Sequence, residues 1–426
     1  MAIQRMRSGT GTGKKATETH LLLPLRILWM AIQGCAPLLL HLPPFPSFPS
    51  LLIIPLHLSS SPLSLSLSLS QPNSLIMQII NKIKESTNSD ENHVIFSFEY
   101  FTPKYPRGST PDARKKISDD FIAKVARMAA HGASFCDITW RPTSADATVD
   151  LAGRMQTELG VDTMMHLTCL GMTLESINKA IDGARSRGVS NILALRGDPP
   201  VGVLADSTEA VEVKGVPVCG LDLVEHIRLR HADFFGLAVA GYPEAHPSKI
   251  LEGSDVATKE GYEEDLVYLK KKVDAGADFI VTQLFYDMSF FFDFVDDCRR
   301  IGIQCPIVPG ILPIVSYRSF QTMTKTCRTK VPTEIRETVE RLKSDEVALA
   351  AYGVELATEM CAEILRRGIR ELHFYTMNRE EPTLAVLRRL GLVKGDNGTI
   401  PRLLVVKEEQ EEKKSVANGA TNLIPA

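Results

Sequence analysis

The chain has 426 residues, of which 44% are hydrophobic and 23% charged, enough apolar material for one large core or two ordinary domains. Forty-eight Lys and Arg against 51 Asp and Glu leave a net charge of −3, which offers a nucleic-acid backbone no overall attraction. Eight cysteines are scattered without a C-x-x-C pair, so neither a zinc site nor a dense disulfide framework is indicated, and a reducing compartment, the cytoplasm, is expected.

Residues 1–81 differ from the rest. One acidic residue, Glu18, stands against Arg5, Arg7, Lys14, Lys15 and Arg26, a net +4 that leaves −7 for the remainder. The stretch is rich in Leu, Pro and Ser, and prolines such as Pro24, Pro37, Pro43 and Pro55 interrupt it too often for a membrane-spanning helix. No membrane association is expected. A low-complexity extension without packed structure is the preferred reading, and an organellar transit peptide is the alternative.

From residue 82 the pattern becomes regular. Short β-branched or aromatic runs predict strands at Val94–Phe101, Phe135–Trp140, Thr163–Cys169, Asn191–Arg196, Phe235–Gly241, Phe279–Phe285, Pro306–Ile311 and Leu372–Met377. Amphipathic stretches between them predict helices at Ser118–His131, Thr148–Gly160, Leu174–Arg187, Leu221–His231, Lys259–Ala275, Phe290–Ile301 and Ala348–Arg367. Gly188 and Gly276 stand where a helix should stop before the next strand. No G-x-G-x-x-G follows the first strand, which argues against a dinucleotide-binding open sheet. The fold class is α/β, a (β/α)8 TIM barrel over residues 82–395, followed by a charged tail at 396–426 that contains the run Lys407–Lys414.

In such a barrel the chemistry sits at the C-terminal strand ends. Read in order, these carry Glu99, Thr139, His166 with Thr168, Arg196 with Asp198, Tyr242, Gln283, and Tyr375 with Arg379. Any one alone could be a satisfied core polar group, but seven strand ends converging on one mouth indicate a site. Glu99 lies among aromatic residues in Phe96–Phe101 and suits a general acid, with pairing to a barrel cation as the alternative. Arg196-Gly197-Asp198 combines a charge pair with a glycine that permits close approach, which suits a flat ligand or a phosphate. Tyr242–Pro247 is a loop stiffened by two prolines that carries an aromatic ring and an imidazole. Asp265 and Lys272, two helical turns apart, share a face. Gln283 can both donate to and accept from a heterocycle such as a pterin, and Arg379 can take a carboxylate bidentately unless it pairs with Glu380. No lysine at a strand end suits Schiff-base chemistry, and no metal spacing such as H-E-x-x-H is present.

The segments Phe98–Phe101, Asp137–Trp140, Met165–Cys169, Ala194–Pro199, Ala240–Pro247, Thr282–Phe285, Pro306–Ile311 and His373–Thr376 together resemble methylenetetrahydrofolate reductase in its eukaryotic form, over roughly Lys82 to Leu392. The resemblance implies a flavoprotein in which NADH or NADPH reduces FAD in a ping-pong sequence. The reduced flavin then converts 5,10-methylenetetrahydrofolate to 5-methyltetrahydrofolate. By the same resemblance Glu99 is the proton donor, and Asp198 stabilises a cationic intermediate beside the flavin. Thr139, Trp140, His166, Arg196, Gly197, Asp198, Cys219, Gly220, Tyr242, His246, Pro247, Asp265 and Lys272 match FAD positions, while Gln283, Tyr375 and Arg379 match folate positions. Self-association is also implied.

Three departures stand out. Tyr100 and Thr102 replace a Phe and a Pro of the family's first motif, and Arg141-Pro142-Thr143-Ser144 replaces a glycine-rich turn. The chain stops soon after the barrel, where eukaryotic members carry a domain responsive to S-adenosylmethionine, so feedback by that route is not expected. A catalytically weak folate- or flavin-binding paralogue, serving as partner subunit of a full-length reductase, is the alternative function.

Overall fold

The computed structural model describes residues 78–88, 93–197, 215–251, 254 and 256–393. Asp198, the front extension as far as residue 77 and the charged tail lie outside the described residues. The elements in chain order are α1 (Ile79–Asn88), β1 (Ile95–Tyr100), α2 (Pro111–Ala129), β2 (Phe135–Ile138), α3 (Ala145–Thr157), β3 (Thr163–Thr168), α4 (Leu174–Ser186), β4 (Asn191–Leu195), α5 (Gly220–His231), β5 (Gly236–Gly241), α6 (Lys259–Asp274) and β6 (Phe279–Thr282). They continue with α7 (Met288–Arg300), β7 (Ile307–Val308), β8 (Gly310–Ile311), α8 (Tyr317–Cys327), α9 (Thr333–Leu342), α10 (Glu346–Arg366), β9 (Glu371–Tyr375) and α11 (Glu381–Arg389).

The strands pair in parallel in the order β7-β6-β5-β4-β3-β2-β1-β9-β8. β7 and β8 are two halves of one barrel position, parted by Pro309, whose missing N–H interrupts the ladder. β7 pairs with β6, and β8 with β9. Thr282 at the end of β6 spans the break, because its hydroxyl accepts the Gly310 N–H at 3.0 Å. The Pro309 carbonyl accepts the His373 N–H at 3.0 Å from the other side. The result is the eight-position (β/α)8 barrel expected from the sequence, with Pro306–Ile311 filling one position.

The helices begin at side-chain caps. Thr110, Thr258 and Asp345 accept the N–H groups of Ala113, Gly261 and Ala348 at 3.2, 3.0 and 2.9 Å. The two glycines expected to end helices do so in the left-handed region, with φ of +78° at Gly188 and +114° at Gly276. Each strand sends alternate side chains outward against the helices, as Phe96, Phe98 and Tyr100 do from β1. Its other side chains point inward, where Ile95, Phe135, Met164, Leu193 and Phe279 form a second apolar cluster. Because both faces are covered, the strands read as nearly continuous apolar runs.

α1 closes the N-terminal end of the barrel. Its Ile79, Ile80 and Ile83 complete the inner cluster, and the Asn191 side chain accepts the Ile79 N–H at 2.9 Å. Lys82 fixes the helix by pairing with Asp162 and donating to the Ser134 carbonyl at 2.9 Å. Packed structure thus starts ahead of residue 82, within the last residues that composition assigned to the extension. Three further helices, α8, α9 and α11, are additions to the sequence reading. None of the described helices is long and apolar enough to cross a membrane.

Candidate active site

The strand ends surround one cavity of about 470 Å³, a size suited to a small-molecule ligand. Glu99, Thr139, His166, Thr168, Arg196, Tyr242, Gln283 and Tyr375, which are the described strand-end residues except Arg379, all lie on its wall. Trp140, Gly197 and His246 line it too. Cys219, Gly220, Pro247, Asp265, Lys272 and Arg379 do not reach the wall.

Most of those six stand directly behind it. Lys272 is buried and donates to the carbonyl of the wall residue Ala240 at 2.7 Å. Burial pulls its pKa down to about 8, against the opposing pull of Asp265. Asp265 accepts the His246 N–H at 3.0 Å, so the predicted shared face of Asp265 and Lys272 carries the loop and the strand that form the wall. Cys219 precedes α5, and the Asp222 carboxylate accepts the N–H groups of Val218 and Cys219 at 3.0 and 3.3 Å. A side chain at Gly220 would come within 3.4 Å of the Ala194 carbonyl. Pro247 opens a 3-10 turn, Pro247–Lys249, that the His246 side chain caps. Arg379 does not pair with Glu380, which is held instead by Arg127 at 2.6 Å.

The wall near His246 is positively charged. Burial, and then the charges of Arg196, Lys272 and Lys249, push the His246 pKa down to about 4, so its imidazole is neutral at physiological pH. The neutral ring stands edge-on to Tyr242, with centroids 4.9 Å apart. At Gly197, φ is +88° and a Cβ would lie 2.8 Å from the Thr168 Cβ, so backbone rather than a side chain forms the wall there. The Trp140 Nε1 is buried without a partner. A donor left so is costly unless an acceptor reaches it. Cations, exposed backbone and an unused indole donor fit a ligand with both an anionic diphosphate and a flat ring, and FAD is such a ligand.

Two departures from the family pattern take defined places. The Thr102 hydroxyl donates to the Thr139 carbonyl at 2.5 Å, and its N–H donates to the Thr139 Oγ1 at 3.3 Å. Proline could make neither bond, so Thr102 ties the exit of β1 to that of β2. Pro142–Ser144 forms a 3-10 turn, and Arg141 donates to the Thr102 carbonyl at 3.4 Å. Thr139 and Trp140 remain on the wall beside this turn.

Below Glu99 lies a polar layer that the sequence reading missed in part. The Glu99 Oε2 is 3.5 Å from the Nε2 of His373 and 3.7 Å from the Nε2 of His166. The Asp137 Oδ2 is 3.4 Å from the same His166 atom and 3.9 Å from that of His373. Ser97 meets the His373 Nδ1 at 2.8 Å. Glu99, Asp137 and His373 bring donor atoms within 4.8 Å of one another, but these atoms already face each other and His166. Asp137 and His373 lay inside the recognised motifs. Only their inward register marks them as site residues, and that becomes visible once β2 and β9 are aligned on β1.

A barrel that gathers an acid, two imidazoles and an arginine on the wall of its C-terminal mouth belongs to the class of TIM-barrel ligand sites built for chemistry on a bound small molecule. The chain is a member of the methylenetetrahydrofolate reductase family, whose pattern residues 82–391 match. It is 50% identical over 319 residues to the probable methylenetetrahydrofolate reductase (NADH) of Oryza sativa subsp. japonica, covering 74% of this chain and 51% of that protein. It is 47% identical over 330 residues to methylenetetrahydrofolate reductase (NADH) 1 of Arabidopsis thaliana, covering 77% and 53%. The probable NADPH enzyme of Caenorhabditis elegans is 37% identical over 313 residues, covering 72% and 43%. The chain thus spans about half the length of these curated relatives.

Proposed function

We propose that this chain reduces 5,10-methylenetetrahydrofolate to 5-methyltetrahydrofolate with NADH as reductant and FAD as the bound carrier. The observation that carries the reading is the Glu99 carboxyl, the one acid on the cavity wall among the described residues. Bound FAD supplies hydride transfer between the nicotinamide and the folate. NADH is preferred because the relatives at about 50% identity are named for it.

The chain's own residues supply binding and proton transfer. Opening the imidazolidine ring of the folate requires a proton on the departing nitrogen, and Glu99 is placed to give it. The Gln283 Oε1 accepts the Leu284 N–H at 2.9 Å, which leaves its amide nitrogen to donate to a pterin. The Tyr375 hydroxyl donates to the Thr282 carbonyl at 2.6 Å, which fixes the ring as a wall for the folate. Arg196 and the neutral His246 on the wall, backed by the buried Lys272, form the region that would take the FAD diphosphate. Asp198 keeps the role that the resemblance implies. A reducing, cytoplasmic setting is part of the same proposal.

The test is anaerobic stopped-flow. NADH should bleach protein-bound FAD, and methylenetetrahydrofolate should restore its absorbance. In Glu99→Gln the NADH step should stay within about twofold, while the folate step falls by roughly 10²–10⁴, the usual contribution of a general acid. Protein that binds no flavin and shows no turnover with FAD supplied refutes the proposal.

A further inference from the structure

Glu99 does not stand alone. Behind it Asp137 and His373 are fully buried and off the cavity wall, while His166 reaches both the wall and Asp137. One oxygen of Asp137, Oδ1, meets no donor, and the other faces two imidazoles. A fully buried carboxylate with so few donors is poorly held as an anion.

The surroundings of these groups are apolar or neutral. Phe135 stacks on His373 at 6.4 Å, and Tyr375 stands edge-on to it at 5.2 Å. The floor below is the apolar cluster closed by α1, whose Lys82 turns away to Asp162. From β1, β2, β3 and β9 the titratable groups facing one another are Glu99, Asp137, His166 and His373, with the Tyr375 phenol beside them. Among the described residues no lysine or arginine forms an ion pair with either carboxyl. Among the described residues, the counter-charges within ion-pair distance of the two carboxylates are the two imidazoles. With both imidazoles neutral and both carboxyls ionised the set would carry −2, one of the charges on the fully buried Asp137. Retaining two protons makes it neutral, however they are shared.

We propose that Asp137, His166 and His373 form with Glu99 a buried proton store, which holds two protons at neutral pH and passes one to the folate through Glu99. This rests on the proposed folate reduction. In the step, the Glu99 O–H bond breaks as its proton moves to the folate nitrogen. A proton then moves from a histidine Nε2 or from Asp137 to the Glu99 carboxylate. The store is left with one negative charge facing the cationic iminium, and solvent refills it once the mouth empties. The need for it is physical: the floor is closed by α1, so a proton lost from Glu99 can be replaced only from the mouth, where the substrate binds, or from the buried groups behind it. Burial, set against the pull of His373 and His166, raises the Asp137 pKa. Burial opposes a charged His166, but Glu99 and Asp137 outweigh it and raise that pKa too. Asp137 and His373 act through Glu99 and are positioning residues.

The experiment uses the FAD-loaded full chain labelled with 15N-histidine, and His166→Gln and His373→Gln assign the signals. In the wild type the His166 ring should titrate above an isolated histidine near pH 6.5, and His373→Gln should move that titration. Asp137→Asn, nearly isosteric, should move that titration by at least about one unit. In stopped-flow it should slow the folate step about tenfold at pH 7.5 and regain rate below pH 6, with flavin content and the NADH step unchanged. If Asp137→Asn does not fold, His373→Gln makes the same test from β9. A His166 ring that titrates like an isolated histidine near pH 6.5 in the wild type overturns the store, as does a folded variant with unaltered titration and pH profile. The NMR titration does not depend on turnover, so it decides the store even if the wild type fails to reduce methylenetetrahydrofolate.

Discussion

Glu244 is 7% exposed and takes one hydrogen bond, from the Lys330 N–H to Oε2 at 3.1 Å, while Oε1 meets no donor. Burial pushes its pKa up to about 8, more than the Lys330 N–H and charge can offset. The unfolded chain ionises this group near its ordinary value, whereas the folded chain holds the proton until about pH 8. Its stabilising contribution is therefore complete below about pH 4.3 and is lost progressively as the pH rises through the folded value near 8. Glu244→Gln keeps the acceptor for Lys330 and removes the ionisation. Thermal melts should show the variant matching the wild type near pH 5 and exceeding it at pH 8.5, by a margin on the order of a few kcal/mol. A margin that does not change with pH would show that Glu244 ionises freely in the folded chain. The sequence made Tyr242 and His246 legible through their stiff, proline-flanked loop. It gave no sign of Glu244, because depth in an irregular loop follows no period. The same holds at Asp137 and His373, where polar residues sit inside apolar strands and only strand register turns them toward Glu99.

At the scale of elements, the break at Pro309 decides how the barrel closes beside the site. A Cβ at Gly310 would lie 2.4 Å from the Thr282 carbonyl and 2.5 Å from the Tyr375 ring, so β8 can pass only as glycine. The same carbonyl holds the Tyr375 hydroxyl at 2.6 Å. Gly310→Ala should cost about 1–3 kcal/mol or more through overpacking and should push the Tyr375 ring off the wall. The expected signature is a lower Tm together with a folate KM raised severalfold and an unchanged KM for NADH. A variant with normal folate KM would separate closure from the site. Strand identity was legible throughout, because runs buried on both faces stay apolar. Two of the helices missed, α8 and α9, have little apolar content to read. α9 buries only Ile335 and Val339, and α8 only Phe320. These two helices stretch the return from β8 into three helices, a detour that a one-helix-per-strand pattern does not anticipate.

Over the whole molecule, the barrel is open at one end and closed at the other, and the closing piece is α1. Composition assigned residues up to 81, Ile79 and Ile80 included, to the front extension on the charge of that stretch and its Leu, Pro and Ser content. What sets them apart is where they land: Ile79 and Ile83 are fully buried against the inward residues of several strands. Their burial makes the floor dry, which in turn leaves the Glu99 cluster reachable only from the mouth. Ile83→Ala removes buried methyl groups from a site where the surrounding strands cannot collapse inward, so a loss of about 2–4 kcal/mol is expected. For a domain of this size each kcal/mol lowers Tm by roughly 2–4 °C, which predicts a fall on the order of 5–10 °C. Ile83→Asp places an unpaired carboxylate in the same cluster and should prevent stable folding. If α1 seals the floor, Ile83→Ala should also speed hydrogen exchange at the Ile95 and Phe135 amides, which border the plug, more than at the Tyr375 amide near the mouth. A melt within 1 °C of the wild type, with exchange unchanged, would mean that the strands close the floor without the helix.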